Sequence, residues 1–220
     1  MADGAAVDTD VLLKAAAYRL AAELIAVLEP KGRPAALGLT HLIAAKQLAR
    51  MRGLRDRDGA GGELNTLLAM LGWLEPEDDE IALAADLVAA AQERGLPLDA
   101  GEAQLTAIVV RRSLPLLLTG DKRALTALAE LVEGEPIRPS LVGRLACLEQ
   151  VLRSVAELIG GVELRARICA EPDVDGAMRL ACSCGRTEWD PSQLHVACAS
   201  FAAAVKAQVG DLLVDGSLLA

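Results

Sequence analysis

Three acidic side chains, far apart in the chain, each stand where an apolar run gives way to a helical pattern. They are Asp8 in AAVDTDVLL, Glu102 in LDAGEAQLTAIVV and Asp121 in PLLLTGDKRALTALAEL. Carboxylates gathered at strand ends can hold a hard divalent cation such as Mg²⁺, which takes oxygen ligands and keeps waters that a phosphate substrate can replace. The chemistry such a set supports is metal-dependent phosphodiester hydrolysis. Each residue also has a plainer role. Asp99 can cap the helix that carries Glu102, with Glu102 completing the box three positions later. Asp121 can complement a helix dipole from the first turn. Asp8 is harder to explain that way, because a carboxylate inside an otherwise apolar strand costs free energy to desolvate unless it has a partner.

The elements that must position these residues follow from hydrophobic spacing. Residues 5 to 12 read as a strand feeding a helix, LLKAAAYRLAAELIAVL, that runs to Pro30. PAALGLT at 34 to 40 reads as a second strand, followed by a helix through HLIAAKQLARM and a Gly-rich turn, DGAGG. Helical spacing then recurs in ELNTLLAMLGWL, EDDEIALAADLVAAAQERG and AGEAQLTAIVVRR before a short strand, LPLLLT. This order of elements suits a parallel sheet flanked by helices, whose ligands bind outside the carboxyl ends of the strands. Asp8 and Asp121 fall there.

Composition narrows the partners. Of the 220 residues 53% are hydrophobic and only 2% aromatic, so Ala and Leu must build the core and base stacking is a minor source of affinity. The formal charge of -9 removes whole-molecule attraction to phosphate, and any nucleic-acid contact has to be local. Arg50, Arg52, Arg55 and Arg57 form the densest basic stretch, with a looser set at Arg111, Arg112, Lys122 and Arg123. A solvated helix end is the commoner explanation of such a run. The acidic first residues and the lack of any long apolar run predict a cytoplasmic chain with no membrane segment. In that compartment the five cysteines, Cys147, Cys169, Cys182, Cys184 and Cys198, are expected to be reduced, as free thiols or metal ligands.

Taken together and in order, VDTDVLLK, LDAGEAQLTAI and LLLTGDKRAL resemble conserved blocks of the PIN domain, a metal-dependent ribonuclease fold, over roughly residues 5 to 132. The resemblance implies an α/β/α sandwich with a short parallel sheet that binds Mg²⁺ or Mn²⁺ and hydrolyses RNA. Carried onto this chain, it makes Asp8, Glu102 and Asp121 the metal-binding and catalytic residues, with Asp10 and Asp99 as secondary candidates. The second block departs from the pattern, because THLIAAKQLAR places Lys46 near the position where a Glu is expected, and Glu63 is the nearest substitute in sequence. In the implied mechanism a cation polarises the phosphodiester and lowers the pKa of a bound water, and a carboxylate orients that water. Neither His41 nor His195 is needed for it.

Past residue 133 the connector GEPIRPS marks an expected boundary between a PIN-like domain at 1–135 and an all-helical C-terminal domain at 136–220. LVGRLACLEQVLRSVAELIGG, VELRARICAE, VDGAMRLACS and SQLHVACASFAAAVKAQVGDLL are its expected helices, offering a surface for a protein partner or a homodimer. Cys182, Cys184, His195 and Cys198 supply four ligands of the kind zinc prefers, although ordinary burial of small apolar residues accounts for them better. EPDVDG, with Glu171, Asp173 and Asp175, lacks the later bidentate Glu of a calcium loop and reads as a helix-capping loop. Two readings of function remain, a Mg²⁺- or Mn²⁺-dependent ribonuclease and an interaction module that keeps the fold with a weakened acidic set.

Overall fold

The computed structural model describes residues 3–216 and 218. The chain runs β1 (Asp3–Val7), α1 (Thr9–Ala17), α2 (Ala21–Leu28), β2 (Arg33–Leu37), α3 (Thr40–Arg50), α4 (Arg57–Met70), β3 (Gly72–Leu74), α5 (Asp78–Arg94) and α6 (Ala100–Arg112). It continues through β4 (Leu117–Thr119), α7 (Lys122–Val132), β5 (Leu145–Cys147), α8 (Leu148–Ile159), α9 (Gly161–Ala170), α10 (Gly176–Ala181) and α11 (Pro191–Val209). The strands form one parallel sheet in the order β3, β2, β1, β4, β5. From β1 the chain works outward to β3, then returns to the other side of β1 with β4. The strand order therefore reverses between β1 and β4, where a crevice opens at the carboxyl ends in folds of this kind.

Both faces of the sheet are covered. Ala5 and Val7 of β1, with Leu118 of β4 and Ala146 of β5, pack among side chains of α1, α2, α8 and α9. Their alternate neighbours Ala6, Leu117, Leu145 and Cys147 pack against α5, α6 and α7. The two-residue period of the strands thus divides into two buried sets, as a parallel sheet between helical layers requires. Among the described residues no helix is long and apolar enough to cross a membrane.

Several expected elements differ. The helix expected from Leu12 to Glu29 is two, because Arg19 adopts φ 58 and turns the chain between α1 and α2. The glycines of DGAGG lie inside α4, not in a turn. Asp56 caps that helix by accepting from Gly59 N at 3.0 Å and also pairs with Arg19 at 2.7 Å. A Cβ at Gly59 would run into both side chains, so the glycine admits a tertiary contact that local sequence does not announce. Gly72–Leu74, expected as the end of a helix, is β3, pairing with Ala35 to Leu37.

The segment after residue 135 is not all-helical. Leu145–Cys147, expected within a helix, pairs with Leu117 to Thr119 as β5, and the chain later returns to place Leu213 beside Leu145. Buried residues of α8, α9 and α10 belong to the same cluster as those of β1, α1 and α2, so the expected boundary at 135 runs through a shared core. Cys169 and Cys184 are joined by a disulfide, which corrects the expectation of five reduced cysteines.

Candidate active site

The sheet itself sets the first contact of the site. Val7 lies beside Leu118, and Asp8 N donates to Leu118 O at 2.9 Å, so the residue after β1 falls level with Thr119 at the end of β4. Thr119 is buried and its hydroxyl donates to Asp8 Oδ2 at 3.3 Å. The same hydroxyl oxygen accepts from Asp121 N at 3.1 Å. Asp8 sits at the N-cap position of α1 with extended backbone, yet its side chain makes no cap there. Its carboxylate is turned across the sheet toward β4 instead.

Asp10, in the first turn of α1, pairs with Lys14 one turn on at 2.8 Å, and Lys14 also pairs with Asp175 at 2.8 Å. Burial disfavours charge on Lys14, but the two carboxylates more than offset it and raise the ammonium above its ordinary range. Lys14 is therefore a fixed cation at the edge of the site, held from the far side by the C-terminal segment. Gly120 fits beneath this pair, since a Cβ there would collide with Asp10 Oδ2.

Asp99 and Glu102 arrive on α6 as a reciprocal capping box. Asp99 Oδ1 accepts from Glu102 N at 2.8 Å and Glu102 Oε2 accepts from Asp99 N at 3.1 Å. Asp121 caps α7, accepting from Arg123 N at 2.8 Å, and pairs with the Arg123 guanidinium at 2.9 Å. The five carboxylates of Asp8, Asp10, Asp99, Glu102 and Asp121 line one open cleft of about 400 Å³ together with Lys14 and Arg123.

The carboxylates in this cleft are in unlike states. Burial, reinforced by the charge of Asp10, pushes Asp8 up to about 6. Burial and the charges of Asp99, Asp8 and Asp121 push Glu102 up to about 7. The hydrogen bond from Arg123 holds Asp121 below the usual carboxylate range. Asp8 and Glu102 are thus buried and crowded by like charge, and among the described residues no Lys or Arg neutralises either by an ion pair. As the side chains stand, no three His, Cys, Asp or Glu residues among those described are grouped closely enough to hold one ion.

Other expected site residues are dispersed. Glu63 accepts from Ala21 N at 2.8 Å and caps α2 rather than joining the cleft. Lys46 points into solvent, whereas Thr40, Ile43, Gln47 and Arg50 are the α3 residues that face a hollow beside the cleft. Arg57 donates to the carbonyls of Leu48, Ala49 and Met51 at the end of α3. Arg55 pairs with Asp173 at 3.6 Å, Arg111 with Asp79 at 3.4 Å, Arg112 with Glu80 at 2.7 Å and Lys122 with Glu149. The basic run is therefore mostly helix capping and ion pairing. His41 packs edge-on against Trp73, with ring centroids 5.2 Å apart.

The four-ligand zinc set is not assembled, because Cys184 is bonded to Cys169 and a disulfide sulfur is not a thiolate ligand. Cys182 and Cys198 are buried, and burial pushes their thiols up to about 11 and about 12. Glu171, Asp173 and Asp175 form a strap. Glu171 accepts from Arg55 N at 2.6 Å and Asp56 N at 2.8 Å, and Asp175 caps α10 while it holds Lys14.

Thr119, Gly120, Lys14 and Asp175 are the site residues that sequence reasoning missed. Asp10 and Lys14, at helical i,i+4 spacing, were a usable signal for one pair; nothing local signals Asp175. Chemically, the cleft can present protonated or ionised carboxyl groups near neutral pH. No protein-family model, curated protein or solved structure matches this chain.

Proposed function

We propose that this chain hydrolyses phosphodiester bonds of RNA, in the manner its PIN-like sequence blocks imply, with Mg²⁺ or Mn²⁺ held among Asp8, Glu102 and Asp121. The observation that carries the reading is the burial and crowding of Asp8 and Glu102, with no ion-pair partner among the described residues, at the point where strand order reverses. An all-oxygen donor set suits either ion, and a divalent cation is the ligand that best relieves this crowding. When bound, the ion lowers the pKa of a water and offsets charge on the phosphodiester.

The chain's own residues supply the rest. The Thr119 hydroxyl fixes Asp8, and the capping box fixes Glu102 through Oε2 while leaving Oε1 outside the cap. Lys14 holds Asp10 back from the others. Arg123, whose side chain is 77% exposed, is a weak restraint on Asp121 and is placed to meet a phosphate once that carboxylate turns. The net charge of -9 makes such local cations necessary for any RNA contact.

The test is cleavage of a fluorogenic single-stranded RNA with Mn²⁺ by the chain, Asp8→Asn and Glu102→Gln. Activity that falls by roughly a hundredfold or more in each variant is the expected result. Undiminished cleavage in both would refute the assignment of these residues. A second reading, an interaction module with a weakened acidic set, is favoured by the Asp10–Lys14 and Asp121–Arg123 pairs. It expects no RNA cleavage, with weak Mn²⁺ binding that is indifferent to Asp8→Asn.

A further inference from the structure

Beside the acidic cleft lies a larger hollow of about 570 Å³ that shares Asp8, Asp10 and Asp99 with it. Its size is that of a small-molecule site. Leu13 of α1, with Ile43 and Met51 at α3 and just beyond it, gives the hollow an apolar side. Gln47 and Arg50 follow Ile43 on the same face of α3, and Gln104 of α6 also lines the hollow. No hydrogen bond or ion pair within the described residues engages the side chains of Gln47, Gln104 or Arg50.

Three features fix the class of ligand. The shared carboxylates repel a bare phosphate from the hollow but admit a neutral ring. An amide side chain offers one donor and one acceptor side by side, which matches the edge of a nucleobase. The apolar side replaces water over the ring's face. A stacked, paired base could not enter such a recess, whereas an unstacked one can. Arg50, an exposed cation on the lining, suits the next phosphate along the strand.

We infer that this hollow seats the nucleobase adjacent to the scissile phosphate of a single-stranded RNA, with Gln47 and Gln104 reading its edge. The inference rests on the phosphodiester reading above and adds the residues that set base preference. Arg50 contributes to affinity and is indifferent to base identity.

The experiment has two arms on the full chain. In the first, adenosine, guanosine, cytidine and uridine are titrated without metal while the side-chain amide NMR signals of Gln47 and Gln104 are followed. These signals are assigned from Gln47→Ala and Gln104→Ala. In the second, cleavage sites in a mixed-sequence unstructured RNA with Mn²⁺ are mapped for the same three proteins. The expected result is that one nucleoside moves both amide signals and that cleavage favours the same base. The preference then falls about tenfold in each variant.

Amide signals unmoved by all four nucleosides overturn the inference, as does a base preference unchanged in both variants. Nucleoside binding without any RNA cleavage would keep the subsite and reject the cleavage reading. Cleavage with an unaltered preference would do the reverse.

Discussion

If Asp8 is held ionised at a cost for the sake of a ligand, then Asp8→Asn should make the metal-free protein more stable, a sign opposite to that of most substitutions at half-buried polar residues. The carboxyl group moves from 3.8 to about 6 on folding. Its folded pKa lies above the unfolded one, so the folded state binds the proton more tightly. The penalty is absent below pH 4, grows as pH rises through the interval from about 4 to 6, and is complete above it. At about 1.4 kcal/mol per unit the shift corresponds to on the order of 3 kcal/mol. Weakening the hydrogen bond from Thr119, at 3.3 Å, returns about 1 kcal/mol of that.

Asp8→Asn should therefore stabilise the chain by about 2 kcal/mol at pH 8 and by nothing measurable at pH 4, or roughly 1 M in urea midpoint at the higher pH. Urea unfolding of both proteins at the two pH values, in chelator, reads the difference directly. Adding Mn²⁺ at about a hundred times its dissociation constant should then favour the wild type by about 2.7 kcal/mol and erase the variant's advantage. A variant less stable than wild type at pH 8, or a difference independent of pH, would refute the argument from burial and like charge.

Three further substitutions probe the surrounding structure. Gly120→Ala forces a Cβ against Asp10 Oδ2 and should cost about 1–3 kcal/mol; thermal unfolding of Gly120→Ala/Asp10→Ala should recover most of it, since the conflict is with that one side chain. Glu171→Gln keeps the shape but gives one of two facing amides, Arg55 N or Asp56 N, a donor instead of an acceptor. It should cost about 2 kcal/mol, and hydrogen exchange should quicken at residues 55 and 56 but not in β1. Tyr18 is 1% exposed and its hydroxyl has no hydrogen-bond partner among the described residues, so Tyr18→Phe should raise the calorimetric stability by about 1 kcal/mol. A loss of stability in its place would show that the hydroxyl is satisfied.

The sequence made the central half of the sheet legible and left the edges hidden, for a definite reason. β1 and β2 precede long amphipathic helices, and β4 sits in LPLLLT between turn signals, so each was readable from its flanks. β3 and β5 are three residues each, too few to show a period. In LAC every side chain is buried, which removes the polar alternation that marks a half-exposed strand. Both stretches also abut helical sequence, and the longer pattern absorbed them. The division after residue 135 failed with β5, because a connector rich in Pro and Gly can join two parts of one core as well as two domains. The disulfide between Cys169 and Cys184 was unreadable for another reason, since pairing depends on which turns meet in space.

The candidate site was legible as residue types but not as a machine. Asp8, Asp10, Asp99, Glu102 and Asp121 do share one cleft, because each follows a strand or opens a helix at the same edge of the sheet. What organises them comes from further away. Asp175, contributed by the loop before α10, holds Lys14 from behind, and Thr119 links Asp8 to the start of α7. The contest between a capping role and a functional one also dissolves in three dimensions. Asp99 spends Oδ1 on the cap and Glu102 spends Oε2, so each keeps its second oxygen outside the cap. Capping fixes the position of these carboxylates, and in that position burial first, with the charges of Asp99 and Asp8 added, raises Glu102 to about 7. A helix start is thus a way of delivering a rigid carboxylate to a cleft, with one oxygen held by the cap and the other left outside it.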